Sequence, residues 1–587
     1  MNSVLELDPL SAHCTFADTL RGADMIARTL CEIGVSTVFC YPGGANLEML
    51  DALSRVDIAL IRTEHEQGAV FAAQGYARAT GRLGVCLATS GPGATNLVTG
   101  IADANSDSIP VLAITGNVAT HWLGKNAFQE VDIVAVTRPI TKQARQVRQF
   151  EAIGPALRDA AALALAGRPG PVLLDFPKDI QQACSVTNEP TPIRAVEPVT
   201  MTLTPEQIGR IARLLMESRR PVIYAGGGIV ASGTSALLVQ LAEQLQCPVA
   251  LTMMGLGAMP DGHALLLGPL GMHGAYCANV AVNEADVVLA LGVRFDDRVI
   301  GDPASFAQGA AIVHIDVDAA EIGKNKAVHI GAQADLRAAL PELLRLAKPI
   351  ATAPWLRYLR SVAAARPLKV AQNSGTGLSG PRAIAMLAER LPAEAVVATG
   401  VGQHQMWAMQ YLRARQARAF LSSAGFGTMG FGLPAALGAK AALPQVPVID
   451  IDGDGSLNMT INELSTCRRY GLGVKIFVVN NQWLGMVRQW QDMIYQGNRV
   501  LSALGDDERA ARPPGSAPYP DFPAIAGGYG VAAERVERAE DLPAALERML
   551  ADPDQPYLLD VMVAREDNVF PMIPAGKSYR DVIFAPM

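Results

Sequence analysis

Short runs of apolar, largely β-branched residues alternate along the chain with stretches of helical periodicity. Within each run the residues are apolar at successive positions, which is typical of strands buried on both faces of a parallel sheet. Helical stretches between such strands favour α/β units. The predicted strands form three blocks: residues 37–39, 84–88 and 111–115; residues 222–224, 287–291 and 311–315; and residues 395–398, 446–451 and 474–479.

Two breaks separate these blocks. The first, residues 187–205, contains four prolines and has no periodicity, and the second is residues 348–381. Proline-rich segments favour extended linkers that supply few core-forming side chains. We therefore predict three doubly wound parallel-sheet α/β domains, over residues 15–187, 205–347 and 380–587.

The composition fits a large globular chain, since 50% of the 587 residues are hydrophobic and 18% are charged. The net charge of −7, without a block of Lys and Arg, argues against nucleic acid or an anionic membrane as the main partner. No apolar run approaches the about 18 residues of a transmembrane helix. The first 14 residues lack a basic segment followed by an apolar core, so we expect a cytoplasmic protein. Eight cysteines without a C-x-x-C pair indicate neither a disulfide scaffold nor a zinc site.

Residues 446–489 carry the most informative motif. A predicted strand runs into the turn DGDGS, and the next predicted strand ends in two asparagines. Ligands bind at the carboxyl ends of strands in open α/β sheets, so Asp454 and Asn481 are expected to meet there. A carboxylate and an amide oxygen suit Mg²⁺, which also binds through phosphates. Gly453 and Gly455 would let backbone amides approach a diphosphate, and Ser456 adds a hydroxyl.

Two other interpretations of this turn are available. A DGDG sequence by itself is commonly only a tight turn. The EF-hand pattern is matched at Asp450, Asp452, Asp454 and Gly455, but its twelfth position is Ile461, where a bidentate glutamate is required. The EF-hand interpretation therefore fails.

The turn GDG, followed after 24 residues by the two asparagines, resembles the thiamine diphosphate signature. From about residue 18 to residue 580, the chain is similar to the catalytic subunits of the acetohydroxyacid synthase (acetolactate synthase) family. The resemblance implies decarboxylation of pyruvate and transfer of the two-carbon unit to a second pyruvate or to 2-oxobutanoate, in the biosynthesis of valine, leucine and isoleucine. It also implies three cofactors: thiamine diphosphate, Mg²⁺ and FAD.

The resemblance assigns roles around thiamine diphosphate. Glu66, in the sequence HEQGA, would hydrogen-bond N1′ of the aminopyrimidine, although an isolated glutamate at a strand-to-helix junction is usually solvated. Met429 would lie beneath the bent cofactor, whereas a lone methionine is more often core filler. The Mg²⁺ ligands would be Asp454, Asn481 and the carbonyl of Trp483. The further contacts implied with this cofactor are Gly402, Gln403, His404, Gly427, Gly455, Ser456, Gly485 and Met486.

The resemblance also implies residues that face the substrates. Gly44, in YPGGA, and Gln129, in AFQE, are candidates for contact with the reacting atoms, and Phe128 lies beside them. The Arg298 guanidinium would pair with the carboxylate of the second 2-oxoacid. Trp490 would form an apolar wall for the ethyl group of 2-oxobutanoate.

Elements of the second block resemble the FAD-binding elements of the biosynthetic enzymes. Because the reaction has no redox step, the resemblance implies a structural flavin. A glycine run alone is weak evidence, but three matching elements occur in order. The implied contacts are Arg168, Gly226, Gly227, Gly228, Met272, His273, Gly292, Arg294, Asp296 and Asp316.

Two rival functions are another flavin-containing thiamine diphosphate enzyme (pyruvate oxidase or glyoxylate carboligase) and a non-catalytic scaffold. Glyoxylate carboligase lacks the usual glutamate, so Glu66 argues against it.

Since Glu66 and the magnesium motif lie in different domains, the resemblance implies that they converge across a homodimer or homotetramer interface. The sequence leaves open whether a small regulatory subunit binds. Residues 491–519 are predicted to form a mobile loop over the substrate.

Overall fold

The computed structural model describes residues 20–185, 201–368, 370, 377–412, 414, 416–505 and 519–585. Three six-stranded parallel sheets, each flanked by helices, confirm the predicted fold class. Each sheet lies within one of the three predicted domains. The predicted tail over residues 1–14, much of the first break and residues 506–518 of the predicted mobile loop lie outside the described residues.

The N-terminal sheet has the strand order β3-β2-β4-β5-β7-β6. A separate pair, β1 with β8, is antiparallel and joins the beginning of the domain to its end. The strands are β1 (Leu20–Arg21), β2 (Thr37–Cys40), β3 (Ala59–Arg62), β4 (Gly84–Ala88), β5 (Val111–Asn117), β6 (Gln143–Gln146), β7 (Val172–Pro177) and β8 (Cys184–Ser185). The helices are α1 (Gly22–Glu32), α2 (Leu47–Leu53), α3 (Glu66–Thr80), α4 (Pro92–Asn96), α5 (Val98–Asp107), α6 (Ile133–Thr137), α7 (Ile153–Leu165) and α8 (Lys178–Gln182).

The central sheet has the order β11-β10-β9-β12-β13-β14, which is the order 3-2-1-4-5-6 of dinucleotide-binding folds. Its strands are β9 (Pro221–Ala225), β10 (Val249–Leu251), β11 (Leu266–Pro269), β12 (Val287–Leu291), β13 (Ala311–Asp316) and β14 (Ile330–Gln333). Its helices are α9 (Pro205–Glu217), α10 (Gly227–Ser232), α11 (Ser235–Leu245), α12 (Tyr276–Glu284), α13 (Asp297–Ile300), α14 (Leu336–Leu346) and α15 (Ala353–Ala365).

The second predicted break is partly wrong, because it contains the helix α15. Trp355 and Leu359 lie one helical turn apart and are buried in the core of the central domain. The surrounding residues are mainly Ala, Leu and Arg, which favour helix formation, and Pro354 lies in the first turn, where proline is tolerated. The break therefore contains an additional helix of the central domain.

The C-terminal sheet has the order β16-β15-β17-β18-β20-β19, so its strands are arranged as in the N-terminal sheet. Its strands are β15 (Val396–Thr399), β16 (Phe420–Ser422), β17 (Val448–Gly453), β18 (Val474–Asn480), β19 (Ala532–Val536) and β20 (Tyr557–Met562). Its helices are α16 (Gly380–Ala388), α17 (Gln403–Tyr411), α18 (Gly432–Ala442), α19 (Asp454–Leu457), α20 (Leu464–Tyr470), α21 (Gly485–Ile494), α22 (Phe522–Gly528) and α23 (Leu542–Ala551).

Helices α3 and α18 join the N-terminal and C-terminal domains. A Cβ on Gly75 would lie 2.0 Å from the carbonyl oxygen of Ala435, and one on Gly438 would lie 1.8 Å from that of Ala72. The two backbones therefore approach too closely for any side chain at these glycines. Buried residues of both domains form one continuous hydrophobic cluster around this contact.

Across the part of the chain that the structure describes, we find no helix whose length and apolar character would allow it to cross a bilayer.

Candidate active site

The carboxyl ends of β17 and β18 bring the predicted magnesium residues together. Asp454 directly follows β17, Asn481 directly follows β18, and the two strands are paired up to Gly453 and Val479. One carboxylate oxygen of Asp454 accepts the amide of Gly455 at 3.0 Å, and the other is buried without a hydrogen-bond partner. Burial raises the pKa of Asp454 to about 8. A cation at the unpaired oxygen would favour the ionised carboxylate instead.

The side chain of Asn481 is held in one orientation. Its Oδ1 accepts the backbone amide of Trp483 at 2.9 Å, and its Nδ2 donates to Oε1 of Gln403 at 3.3 Å. Between these residues Gln482 has a φ of 59°, so the chain turns sharply before Trp483. The described residues contain no group of three His, Cys, Asp or Glu side chains that could hold a metal. One carboxylate, one amide and one carbonyl fit Mg²⁺ that also binds phosphate and water.

Two helix N-termini meet at the same edge of the sheet. Helix α17 begins at Gln403 and α21 at Gly485, where a Cβ would lie 2.0 Å from Oε1 of Gln403. The ring of His404 lies against β17, since a Cβ on Gly453 would be 2.6 Å from its Nδ1. Gly402 precedes α17 directly. Such N-termini present free amides to an anionic group, so this edge fits a diphosphate.

Gln403 is supported by two residues that the sequence interpretation missed. Its Nε2 donates to Oε1 of Gln489 at 3.0 Å and to the carbonyl of Asp567 at 2.9 Å. These partners lie 86 and 164 residues further along the chain. No local pattern could have indicated them, because only the packing of α21 and the C-terminal segment against α17 creates the contact.

Met429 and Gly427 lie on the loop between β16 and α18, which we call the Met429 loop (residues 423–431). We call the candidate magnesium residues Asp454, Asn481 and Trp483 the cage. The half-buried Met429 side chain lies next to the cage, since its Cε would be 3.7 Å from a Cβ on Gly455, the residue after Asp454. Ser456 Oγ accepts the amide of Gly430 at 2.9 Å. Gly427 is exposed at a φ of 69°, with no atom within 4 Å of its Cβ position. This loop therefore borders open space beside the candidate magnesium residues.

Glu66 is the first residue of α3 and is buried. Its Oε2 accepts Nδ2 of Asn96 at 2.9 Å, and its Oε1 would be 3.0 Å from a Cβ on Gly93. Both neighbours belong to the segment SGPGATN, residues 90–96, and the sequence analysis did not indicate Asn96 as a partner of the glutamate. Among the described residues, no hydrogen bond or ion pair joins Glu66 to Asp454 or Asn481. Glu66 belongs to the N-terminal domain, whereas Asp454 and Asn481 belong to the C-terminal domain.

The other first-block candidates lie near Glu66. Gln129 has a φ of 58°, and its Cα would be 2.8 Å from a Cβ on Gly91. Phe128 is 87% exposed. Gly44 has no atom within 4 Å of its Cβ position, and its carbonyl accepts Nζ of Lys178 at 3.3 Å. These residues form an open face that another molecule can approach.

Arg298 and Trp490 are neighbours although they belong to different domains. The guanidinium carbon lies 5.9 Å from the centre of the indole ring, which is within the range of a cation–π contact. The Arg298 side chain is 55% exposed, and its carbonyl accepts the amide of Met272 at 2.8 Å. Met486 lies one turn before Trp490 on α21. Arg298 and Trp490, two of the predicted substrate residues, therefore lie side by side, with Met486 one helical turn away.

The glycines predicted to contact FAD lie at the switch point of the central sheet, between β9 and β12. A Cβ on Gly226 would be 2.5 Å from the carbonyl oxygen of Gly292, and one on Gly228 would be 2.6 Å from its Cα. Gly227 begins the short helix α10. Two strand-end loops therefore meet without side chains, where dinucleotides bind in this fold.

The charged residues predicted to contact FAD are already engaged with protein groups. Arg168 pairs with Glu321 at 2.7 Å and with Asp318 at 3.2 Å, while Arg294 donates to the carbonyl of Ser106 at 2.7 Å. Their side chains hold the N-terminal and central domains together. Of three further candidates, Asp316 and His273 are buried and Asp296 is half-buried. Desolvation raises the pKa of Asp296 and that of Asp316 (to about 6), and it lowers the pKa of His273 to about 4.

Comparisons with known proteins agree with this arrangement. Three family models match: the N-terminal TPP binding domain of thiamine pyrophosphate enzymes over residues 20–136, their central domain over residues 208–343, and their C-terminal TPP binding domain over residues 400–561. The chain is 47% identical over 575 residues to acetolactate synthase 3, chloroplastic, of Brassica napus (96% of this chain, 86% of the relative). It is 48% identical over 577 residues to acetolactate synthase 1, chloroplastic, of Oryza sativa subsp. japonica (97% of this chain, 88% of the relative).

Proposed function

The chain belongs to the acetolactate synthases of the thiamine pyrophosphate enzyme family, and from this premise we propose how its residues carry out the reaction. The enzyme is a thiamine diphosphate-dependent carboligase. It decarboxylates pyruvate and transfers the two-carbon unit to a second pyruvate or to 2-oxobutanoate. The rival assignments to pyruvate oxidase or glyoxylate carboligase are not favoured by the relatives.

One observation carries the proposal for the cofactor site: the unpaired, buried oxygen of Asp454 beside Asn481. A buried carboxylate oxygen without a partner is costly, and a bound cation would remove that cost. We propose that Asp454, Asn481 and the carbonyl of Trp483 bind Mg²⁺. The N-termini of α17 and α21 would then hold the diphosphate that the same ion neutralises.

Thiamine diphosphate, when bound, supplies the nucleophilic carbon and the electron sink for the loss of CO₂. Glu66 would hold a proton against N1′ of the aminopyrimidine, and its bond from Asn96 fixes the carboxyl group for this task. Met429 would support the bend of the cofactor, and the carbonyl of Gly427 would accept its amino group. The open space beside Gly427 supports this assignment.

We propose that Arg298 and Trp490 select the second substrate. The exposed guanidinium can pair with a 2-oxoacid carboxylate, and the indole beside it offers an apolar wall. Gln129, Gly44 and the exposed Phe128 would face the same substrate from the N-terminal domain of another chain. Because Glu66 and Asp454 lie in different domains, we propose that they meet on one cofactor across a homodimer interface, which makes the homodimer the smallest active unit.

We further propose that FAD binds the central domain in a structural role. The glycine contact at the switch point and the 3-2-1-4-5-6 strand order support this. On binding of the flavin, Arg168 and Arg294 would either leave their present protein partners for the flavin or contact both. A cytoplasmic location stays a prediction. Whether a small regulatory subunit binds stays an open question.

The decisive experiment is to incubate the purified protein with pyruvate, thiamine diphosphate, Mg²⁺ and FAD, with and without 2-oxobutanoate, and to identify the products. We expect 2-acetolactate alone and, with 2-oxobutanoate, 2-aceto-2-hydroxybutanoate as well. Omission of FAD should lower the yield. In the sample that contains FAD, the flavin should stay oxidised during turnover. Anaerobic bleaching of the flavin on addition of pyruvate would instead indicate a pyruvate oxidase.

A further inference from the structure

We propose that Asp107, together with Asp103 and Arg78, is a positioning residue that holds the Met429 loop in its working shape. The inference rests on the proposed role of Met429 and Gly427. It concerns residues of the N-terminal domain that touch neither the candidate magnesium residues nor Glu66.

Asp107 binds the backbone of the loop. Its Oδ1 accepts the amide of Gly425 at 2.8 Å, and its Oδ2 accepts the amide of Ala424 at 2.9 Å. Asp107 is the last residue of α5 and its side chain is fully buried. A carboxylate that accepts two backbone amides fixes the direction of the chain at that point, because each bond is charge-assisted.

Asp103, one helical turn earlier, binds the side chains of the same loop. Its Oδ1 accepts Oγ1 of Thr428 at 2.8 Å and also the hydroxyl of Ser423. That hydroxyl in turn accepts the amide of Thr428 at 2.8 Å. The two ends of the exposed tip, residues 425–427, are therefore tied to one carboxylate, and Met429 follows directly after the anchored Thr428.

Arg78 of α3 balances the two carboxylates. Its guanidinium donates to Asp107 at 3.0 Å, to Asp103 at 3.2 Å and to the carbonyl of Ser422 at 2.9 Å. The guanidinium carbon of Arg78 also lies 4.9 Å from the centre of the Phe431 ring, at the other end of the loop. Buried carboxylates are costly unless hydrogen bonds satisfy them, and the Met429 loop donates two backbone amides to Asp107 and two hydroxyls to Asp103.

The distribution of these hydrogen bonds indicates that the cluster positions the loop and does not simply hold the two domains together. The cluster of Arg78, Asp103 and Asp107 binds Ser422 just before the loop, four residues of the loop and the ring of Phe431 at its end. Helix α18, by contrast, is packed by apolar contacts. The tip itself is exposed, so burial does not fix its conformation. We infer that the cluster sets the distance between Met429 and the rest of the cofactor site.

The test compares Asp107→Asn with the wild-type protein in three measurements. In the cofactor-free protein, amide hydrogen exchange should be faster in residues 423–431 and unchanged in the cage around Asp454. In the presence of Mg²⁺, the Kd for thiamine diphosphate should change by about threefold or less, since the diphosphate contacts are intact. The turnover number with pyruvate should fall by about 10- to 100-fold, because a displacement of about 1 Å has that effect on a reacting group.

Asp103→Asn is the second variant and should show the same pattern, and Asp24→Asn is the matched control. Asp24 pairs with Arg21 at 3.0 Å and also with Arg55, within the N-terminal domain and away from the loop. An unchanged turnover number in Asp107→Asn, or unchanged exchange of the loop, overturns the proposal. If the wild-type protein forms no acetolactate, the proposed function fails, but the exchange experiment still decides whether the cluster holds the loop.

Discussion

At the scale of single residues, the candidate site depends on buried polar atoms whose partners are incomplete or come from distant parts of the chain. Asp454 has one unpaired oxygen, and Glu66 is bound by a single side chain, Asn96. Such groups are rarely left unsatisfied without a functional reason. The sequence predicted the two acidic residues through their motifs, but it did not indicate which of their oxygens remain free.

Replacement of Glu66 by glutamine should lower the rate of acetolactate formation by about 10²- to 10⁴-fold, the usual contribution of a proton-transferring group. The amide keeps the shape and the contact with Asn96 but cannot exchange a proton. The matched control is Glu64→Gln, since Glu64 is bound by Arg62 at 2.9 Å and by Ser465 at 2.8 Å instead. Steady-state rates at saturating cofactor provide the measurement. Equal activity of wild-type and Glu66→Gln proteins would contradict the proposed mechanism.

Replacement of Trp490 by leucine should lower the preference for 2-oxobutanoate over pyruvate as the acceptor. The extra methylene of the larger acid gains only about 0.8 kcal/mol from burial, so the shape of the indole wall must supply the remaining selectivity. The ratio of the two products in competition between the acceptors measures this. A ratio identical to that of the wild-type protein would remove Trp490 from substrate selection.

We predict that the buried carboxyl group of Glu463 makes the free energy of unfolding depend on pH. It is fully buried between the N-terminal and C-terminal domains, and burial raises its pKa from 4.5 to about 7. Between these values the unfolded chain has lost the proton that the folded chain keeps, so this group destabilises the fold progressively as the pH rises from 4.5 to 7. The Tm of Glu463→Gln relative to wild type should therefore rise over that window and then level off.

The control for this measurement is Glu534→Gln. The bond from Arg548 lowers the pKa of Glu534, so this carboxylate stabilises the folded protein once it is ionised. Its replacement should leave the Tm unchanged at low pH and lower it as the pH rises. Parallel shifts in both variants would refute the assignment of the pH effect to Glu463.

At the scale of elements, the contact between α3 and α18 decides how the domains meet. Each helix contributes a glycine at the crossing, and the nearest atoms are backbone carbonyls that cannot rotate away. The sequence analysis assigned no role to these glycines, and glycine by itself weakens a helix. The structure gives the reason for them: close packing between two domains.

Gly75→Ala should therefore lower the free energy of unfolding by about 1–3 kcal/mol, because the added methyl group forces the backbones apart. The matched control is Gly209→Ala in α9, where no atom lies within 4 Å of the added Cβ. That change should stabilise the helix by up to about 1 kcal/mol through its higher helix propensity. Denaturant unfolding of both variants tests the difference, and equal effects would contradict the packing argument.

At the scale of the whole molecule, the predicted site residues belong to different domains of the chain. The cage of Asp454 and Asn481 is in the C-terminal domain, and Glu66 with Gln129 is in the N-terminal domain. The proposed function requires these clusters to meet on one cofactor. A second copy of the chain supplies the missing half in the proposed homodimer.

Coexpression of Glu66→Gln and Asp454→Asn chains tests this directly. Each variant alone should be inactive. In a mixed dimer with shared sites, both changes fall in one site and the other site is intact, so purified heterodimers should have about half the wild-type activity per dimer. If each chain instead formed a site from its own residues, every site would carry one change, and the heterodimer would be as inactive as its parents.

The sequence by itself predicted three strands of each six-stranded sheet, the doubly wound α/β class of the three domains and the motifs at the carboxyl ends of their strands. These features depend on local patterns: apolar runs, glycine turns and the residue that follows each strand. It missed helix α15, because a proline-containing break was interpreted as a linker despite the periodic pair Trp355 and Leu359. Only the tertiary structure decided which side chains support the site. The bonds from Gln403 to Gln489 and from Gly425 to Asp107 join residues 86 and 318 positions apart. The first forms only when α21 packs against α17 within the C-terminal domain, and the second only when the N-terminal and C-terminal domains pack together.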